Sequence, residues 1–342
     1  MAATMRQVAE LAGVSLKSVS RVVNDEPNVS QALRRKVLAA IDELGWQPNA
    51  LARTLRTGRT ETIAVLIPEL RDRWVAALTQ ALVVEADRRG LTVTIEPCGG
   101  DPERVSQVLI EQRTAFDGAI LVGTVHGDTP SPPPDYALPT CSIGAWADAE
   151  GSGSSDRVCL DLDRAADAVA RHLRALRFKA IAVVGPPQPG QEAMTRALAD
   201  AIPGAVVLDA QSCAHRAEGL RIGRALTKDR TAVDAVVCAD DDLALGVLSG
   251  LLAGGVRVPE DVAVCGCGDL EDGRFSTPTL TTLRFPMSEI ARAALDDLER
   301  RWEVEARSPH STTVGPTLVR RESTLGFSSA VYIERRRSGG AL

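Results

Sequence analysis

The sequence predicts an all-α amino-terminal domain followed by a two-lobed α/β body, and three observations carry that prediction. Residues 4 to 24 spell two short amphipathic helices around a glycine turn, the pattern of a helix-turn-helix. From Thr60 onward apolar strand-like runs alternate with helical runs, which implies parallel sheets covered on both faces. The alternation breaks near residues 145 to 157 and restarts, so the body divides into two lobes.

The first helix opens with a capping box, in which Thr4 accepts from the Gln7 amide and the Gln7 side chain reaches back to the Thr4 amide. Val8, Leu11 and Ala12 share one face at spacings of three and four. Gly13 supplies the positive φ of a tight turn, and Ser15 caps a second helix that buries Val19, Val22 and Val23. Leu16, Lys17, Ser20 and Arg21 lie on its opposite face, with Lys17 and Arg21 one turn apart. Periodicity leaves two readings of that front: an ordinary solvated surface, or a face that enters a DNA major groove. Ser30 caps a third helix with a core stripe of Leu33, Val37, Ile41 and Leu44 and a stop at Gly45. Arg34, Arg35 and Lys36, in its early turns, are placed to meet phosphates.

Between Trp46 and Gly58, Asn49 can cap a helix of fewer than ten residues, a length that is marginal alone in water. Leu51 and Leu55 share a face that a partner helix or DNA would have to cover; composition alone reads the segment as a linker. Strands are then expected at 62–68, 91–97, 117–123 and 139–144, with helices at 74–89 and 102–114 and a break at the prolines of 130–134. The second series has strands at 158–161, 179–185, 205–209, 233–239 and 261–266, alternating with helices at 163–177, 191–201, 214–227 and 241–254.

The net charge of −6 hides an asymmetry, because residues 1 to 59 hold nine Lys or Arg against five Asp or Glu. That leaves −10 on the rest, so a positive end can approach a polyanion while an acidic body stays off it, and binding should weaken steeply with salt. No charged leader with an apolar core precedes the first helix, and no apolar run approaches the ~18 residues of a membrane span, so a cytoplasmic location is expected. The seven cysteines form no CxxC pair and mostly sit in strand-like runs, which favours reduced core thiols over disulfides or a metal site. Cys265 and Cys267 are the one close pair, and the histidines have no metal-like spacing. No cofactor is expected.

Taken in order, the Val-Ala-x-x-Ala-Gly-Val-Ser stretch, Ser20-Arg21-Val22-Val23-Asn24, the Gly45-Trp46-x-Pro48-Asn49 junction and Ala52-Arg53-x-Leu55 resemble the LacI/GalR family of bacterial transcriptional regulators. Ala239-Asp240-Asp241-x-Leu243-Ala244-Leu245-Gly246, Val256 to Val262, Leu280 to Arg284 and Leu318 to Thr324 extend the resemblance over nearly the whole chain. It implies a DNA-binding domain at 1–48, a hinge helix at 49–59, a periplasmic-binding-protein-like sensor and dimerisation body at 60–326, and a disordered tail at 327–342. Leu16, Lys17 and Arg21 then occupy the base-reading positions, Leu51 the contact between two hinge helices, and Leu55 the lever that wedges into the minor groove. Ser20, Arg34, Asn49 and Arg53 join the DNA-facing set. The implied partners are a palindromic double-stranded operator, a second copy of the chain and a small-molecule effector, with chain crossings between lobes near residues 159, 285 and 313.

In open α/β sheets ligands lie beyond the carboxyl ends of the strands, which singles out Arg73, Trp74, Trp146, Asp161, Asp240, Asp269, Arg284 and Phe285. Several positions depart from the family's sugar-binding set: Gly190 for an Arg, Gly268 for an Asp, Phe285 for a Gln and Leu162 for an Asn. A hydroxyl-rich ligand needs paired polar groups, so these losses argue for a less polar, cationic or aromatic effector. The alternative is that Trp74 and Phe285 merely pack the cleft and no effector exists. Asp241 reads as a cap for the helix that follows Ala239. A solute-binding protein would carry an export signal and no helix-turn-helix, and a Rossmann-type enzyme would carry a Gly-x-Gly-x-x-Gly or a Gly-x-Ser-x-Gly; the sequence shows neither pattern.

Overall fold

The structure, a computed structural model, describes residues 3–23, 27, 29–46, 58–99, 101–112, 114–123, 138–144, 156–186, 192–210, 215–228, 233–303 and 308–326. It forms two compact units, Met1–Glu61 and Thr62–Leu342.

In the first unit, α1 (Met5–Ala12) starts at the expected capping box: the Gln7 amide donates to Thr4 Oγ1 at 3.4 Å and the Thr4 amide to Gln7 Oε1 at 2.8 Å. Gly13, at φ +65°, turns the chain into α2 (Leu16–Val23), whose first turn is tied by Ser18 N donating to Ser15 Oγ at 3.1 Å. Ser30 caps α3 (Gln31–Leu44), which ends at Gly45 with φ +56°. Val8, Ala9, Val19, Val22, Val37, Ala40 and Trp46 are the buried core of this unit. Two details differ from the sequence reading. Leu11 is 45% exposed and Ala9 takes its place, because at 100° per residue the buried arc of α1 centres between Val8 and Ala9 and Leu11 falls off its flank. Val23, Leu33, Ile41 and Leu44 only edge the core, while Ala40 and Trp46 enter it.

The second unit contains two sheets. The first has the order β11-β5-β4-β3-β1-β2, from β1 (Thr62–Ile67), β2 (Thr92–Pro97), β3 (Gly118–Val122), β4 (Thr140–Gly144), β5 (Asp156–Leu160) and β11 (Ser311–Val314), and all of its pairings are parallel. Residues 63 to 67 are buried throughout, since Ile63, Val65 and Ile67 join one core cluster and Ala64 and Leu66 another. A continuous apolar run is what a strand covered on both faces requires. α4 (Arg73–Arg88) belongs to the first cluster and α5 (Pro102–Glu111) to the second. α11 (Met287–Glu303), which the sequence reading did not assign, packs beside α4, where Arg89 reaches Glu85 and Asp296 at 2.8 Å and Glu299 at 3.1 Å.

The second sheet runs β12-β10-β9-β8-β6-β7, from β6 (Ile181–Gly185), β7 (Val206–Asp209), β8 (Ala235–Cys238), β9 (Ala263–Cys267), β10 (Thr281–Arg284) and β12 (Thr317–Val319), with β12 antiparallel to β10. Its helices are α6 (Leu162–Ala175), α7 (Ala193–Ala201), α8 (His215–Lys228), α9 (Asp241–Ala253), α10 (Asp272–Phe275) and α12 (Glu322–Leu325). The chain changes sheet after β5, after β10 and between β11 and β12. The strand expected to start the second series is therefore the last addition to the first sheet before the crossing, a distinction that its apolar run could not carry. α8 and α9 pack backbone to backbone through Gly219, Gly223, Gly246 and Gly250; a Cβ on Gly219 would lie 2.2 Å from Leu243 O.

Candidate nucleic-acid interface and effector cleft

On α2 the side chains away from the buried Val19 and Val22 are the exposed Lys17 and the half-buried Ser20 and Arg21, with the exposed Leu16 on the flank in the first turn. An exposed leucine, 45% accessible in the first turn of this helix, is ready for apolar contact beside cationic and hydroxyl groups that can donate to base edges. Arg21 Nη2 donates to Pro27 O at 3.3 Å, which holds the guanidinium at the end of the helix. Arg35 and Lys36 are exposed on the first turns of α3 and Arg34 is half-buried. Asn49, Leu51, Arg53 and Leu55 lie outside the described residues, as does Trp146.

In the body, most residues named for the cleft stand where the parallel strands end, and most are already engaged. Asp72 caps α4 through the amides of Trp74 at 2.9 Å and Val75 at 3.0 Å. That turn places Arg73 between two carboxylates of the second lobe, Asp272, which it contacts directly, and Asp242, 3.9 Å from Nε. Arg216, at the start of α8, pairs with Asp242 at 2.5 Å and Asp272 at 3.3 Å. Burial alone would raise the Asp272 pKa, but Arg73 and Arg216 outweigh it and hold the carboxyl below its usual range. Trp74 is 5% exposed and its Nε1 has no hydrogen-bond partner among the described residues.

Asp161 caps α6 through the Arg164 amide at 2.9 Å and sits on the first crossing, its own amide donating to Val314 O at 3.0 Å. Phe285, on the second crossing, is 2% exposed and belongs to the main core cluster. Asp269 is buried against Arg321 and Arg284, each at 2.5 Å, and Arg274 at 3.1 Å. Desolvation pushes its pKa up, and the hydrogen bonds and charges of Arg321 and Arg284 more than reverse this. Arg284 is thus spent inside its own lobe.

The cap that the sequence placed at Asp241 is Asp240. Asp240 is the cap of α9, accepting from the Leu243 amide at 2.6 Å. Asp241 is 1% exposed and turns inward, accepting from Thr282 Oγ1 at 2.6 Å and from the Leu270 amide at 2.7 Å. Burial pushes its pKa up to about 7 against the lowering effect of those two donors. An Asp-Asp pair before a helix signals a cap without telling which member serves, and the register of the preceding strand decides it. The sequence reading also missed Thr195, in the first turn of α7, whose buried Oγ1 has no partner among the described residues. Gly185 leaves it room, since a Cβ there would lie 2.0 Å from that oxygen. A hydroxyl in the first helical turn after a strand's carboxyl end was the available signal.

Cys265 and Cys267 are buried, with burial raising both thiols, and no group of His, Cys, Asp and Glu among the described residues could hold a metal. His172, buried, shares a 2.9 Å hydrogen bond with Thr324 Oγ1, and desolvation lowers its pKa to about 4. No described helix is long and apolar enough to cross a membrane.

Comparison with known proteins agrees with this geometry. Residues 4–49 match the model of bacterial regulatory proteins, lacI family, and residues 170–324 match the periplasmic binding protein-like domain. An HTH-type transcriptional regulator, MalR of Streptomyces coelicolor, is 31% identical over 95% of this chain and 97% of its own. The chain belongs to the lacI family. The Escherichia coli K12 ribose operon repressor is another similar member, 29% identical over 94% of this chain and 99% of its own length. The fold matches the lac repressor dimer bound to operator and the anti-inducer ONPF, with TM-score 0.77, 22% identity and coverage of 95% and 99% of the two chains. As a lacI-family member this is a DNA-binding transcriptional regulator and not an enzyme.

Proposed function

We propose that two copies of the chain bind a palindromic operator, most simply as a repressor, and that a small molecule in the interlobe cleft of the body biases that binding. Residues 1–48 serve as the DNA-reading domain, 49–59 as the hinge helix, 60–326 as the sensor and dimerisation body, and 327–342 as a tail, in a cytoplasmic protein. Leu16, Lys17, Ser20 and Arg21 read base edges, Arg34 meets phosphate, and Asn49 and Arg53 support a hinge whose Leu51 meets its counterpart and whose Leu55 wedges into the minor groove. The observation that carries the reading is the front of α2, where Lys17 and Arg21 stand opposite a buried valine pair and an exposed leucine, Leu16, flanks them in the first turn.

For the cleft, support comes from the buried Trp74 Nε1 and Thr195 Oγ1, which have no hydrogen-bond partner among the described residues and lie near the carboxyl ends of strands in opposite lobes. Both can donate to an acceptor atom of a ligand, and a buried donor left unpaired is costly. Trp74, Trp146 and Phe285 with Asp161 and Asp240 suit a ligand less polar than a sugar, because Asp269 and Arg284 are consumed within their own lobe and Gly268 offers no side chain. Similarity to a ribose operon repressor favours a sugar as the second reading. A ligand shifts the lobes only if it binds one closure state better than the other.

Leu55→Ala tests the operator reading. On a palindrome that the wild-type chain retains, the substitution should weaken binding by about tenfold or more, since the wedge offsets a few kcal/mol of unstacking, while the melting temperature stays unchanged. Full affinity in the variant would remove Leu55 from the interface.

A further inference from the structure

We propose that Arg73, Arg216, Asp242 and Asp272 form an ion-pair latch that closes the two lobes without any ligand and releases them as ionic strength rises. Arg73 is the first-lobe member. It stands at the first turn of α4, fixed there by the Asp72 cap, and its guanidinium lies between the carboxylates of Asp242 and Asp272 in the second lobe. Arg216 contacts the same two carboxylates from α8, so the group holds two positive and two negative charges.

Two properties make this a latch and not a rivet. The side chains of Arg73, Asp242 and Asp272 are 45%, 25% and 40% exposed, so water and salt reach them and the attraction is screened within a Debye length. Arg216 keeps both carboxylates paired inside the second lobe when Arg73 withdraws, so opening strands no buried charge and both states can be populated. The contrast is Asp269, whose side chain is 3% exposed and held by three arginines of its own lobe, so that it spans nothing. The regulatory consequence is that an effector acts on a body already biased towards closure. A ligand whose anionic group competes for Arg73 opens the lobes, and one that only fills the space beneath the latch holds them shut.

The latch requires neither effector nor DNA, so its test is independent of the proposed function. Small-angle X-ray scattering of the purified full chain measures the radius of gyration from low to high salt. The wild type should expand as salt rises. Arg73→Met should be expanded already at low salt and respond little further, with a closed-to-open ratio shifted about fivefold, as expected for a partly exposed ion pair. Arg71→Met, which removes a neighbouring 91% exposed arginine paired with the nearby Glu69, should behave as the wild type. Arg73→Lys, keeping the charge, should retain the salt response. If Arg73→Met does not fold, the wild-type salt series decides alone. A wild-type radius independent of salt, or equal expansion in Arg71→Met, would overturn the latch.

Discussion

The close packing of α8 on α9 offers a test of the body that depends on no ligand. In Gly219→Ala the new Cβ would sit 2.2 Å from Leu243 O and 3.0 Å from both Leu243 C and Val247 N. All three are backbone atoms, so no side chain can rotate aside and the helices must part by about 1 Å to restore an ordinary carbon–oxygen contact. Overpacking of this kind costs about 1–3 kcal/mol, and rigid neighbours place it at the top of that range. Alanine's better helix propensity returns about 1 kcal/mol. The net is about 2 kcal/mol of destabilisation, or roughly 5 °C in melting temperature for a body of this size. Urea denaturation followed by circular dichroism measures it. Ser249→Ala, at an exposed site on the facing α9, is the control and should stay within about 0.5 kcal/mol. The reciprocal Gly246→Ala, facing Arg216 O at 2.2 Å, should behave alike. A Gly219→Ala chain as stable as the wild type would refute the backbone contact, and with it the placement of Arg216 beside Asp242.

Two further outcomes follow from named groups. Lys17→Ala should cost about 1–3 kcal/mol on the preferred duplex and less on a shuffled one, while Arg35→Ala should weaken both alike and lower the salt slope by about one; fluorescence anisotropy at several salt concentrations separates the two. Asp241, held to about 7 by burial against an ordinary value near 4, keeps its proton in the folded chain while the unfolded chain has lost it, so its contribution makes stability fall as pH rises from about 4 to 7. The buried His172, lowered to about 4, acts with the opposite sign below its ordinary 6.5. The comparison is therefore between denaturation curves of wild type and Asp241→Asn, whose difference should shift in favour of the variant as pH rises through this window; a pH-independent difference would contradict the assignment.

The sequence was informative wherever one local rule settles the outcome. Thr4, Gln7, Gly13, Ser15, Ser30 and Gly45 announce caps and turns through chemistry that acts within four residues, and each serves as expected. Buried parallel strands announced themselves as apolar runs. What stayed hidden depends on distant partners. Whether Asp156–Leu160 joins the first sheet or the second is decided by its pairing with β4 and β11, not by its composition. The choice between Asp240 and Asp241 turns on where Thr282 and the Leu270 amide arrive. Arg73 looked like a ligand contact because a cation at a strand's carboxyl end usually faces solvent or substrate, and only the fold brings Asp242 and Asp272 to it. Thr195 carries no local mark beyond its place in a helix's first turn.

The most direct measurement of the central claim, that this chain reads a specific duplex through α2 as a pair of copies, is selection from a randomised duplex pool at a stated near-physiological salt concentration. The expected result is enrichment of a palindrome, retained by the wild type and lost by Lys17→Ala. Enrichment of an asymmetric site, or the same enriched sequence from both proteins, would contradict it.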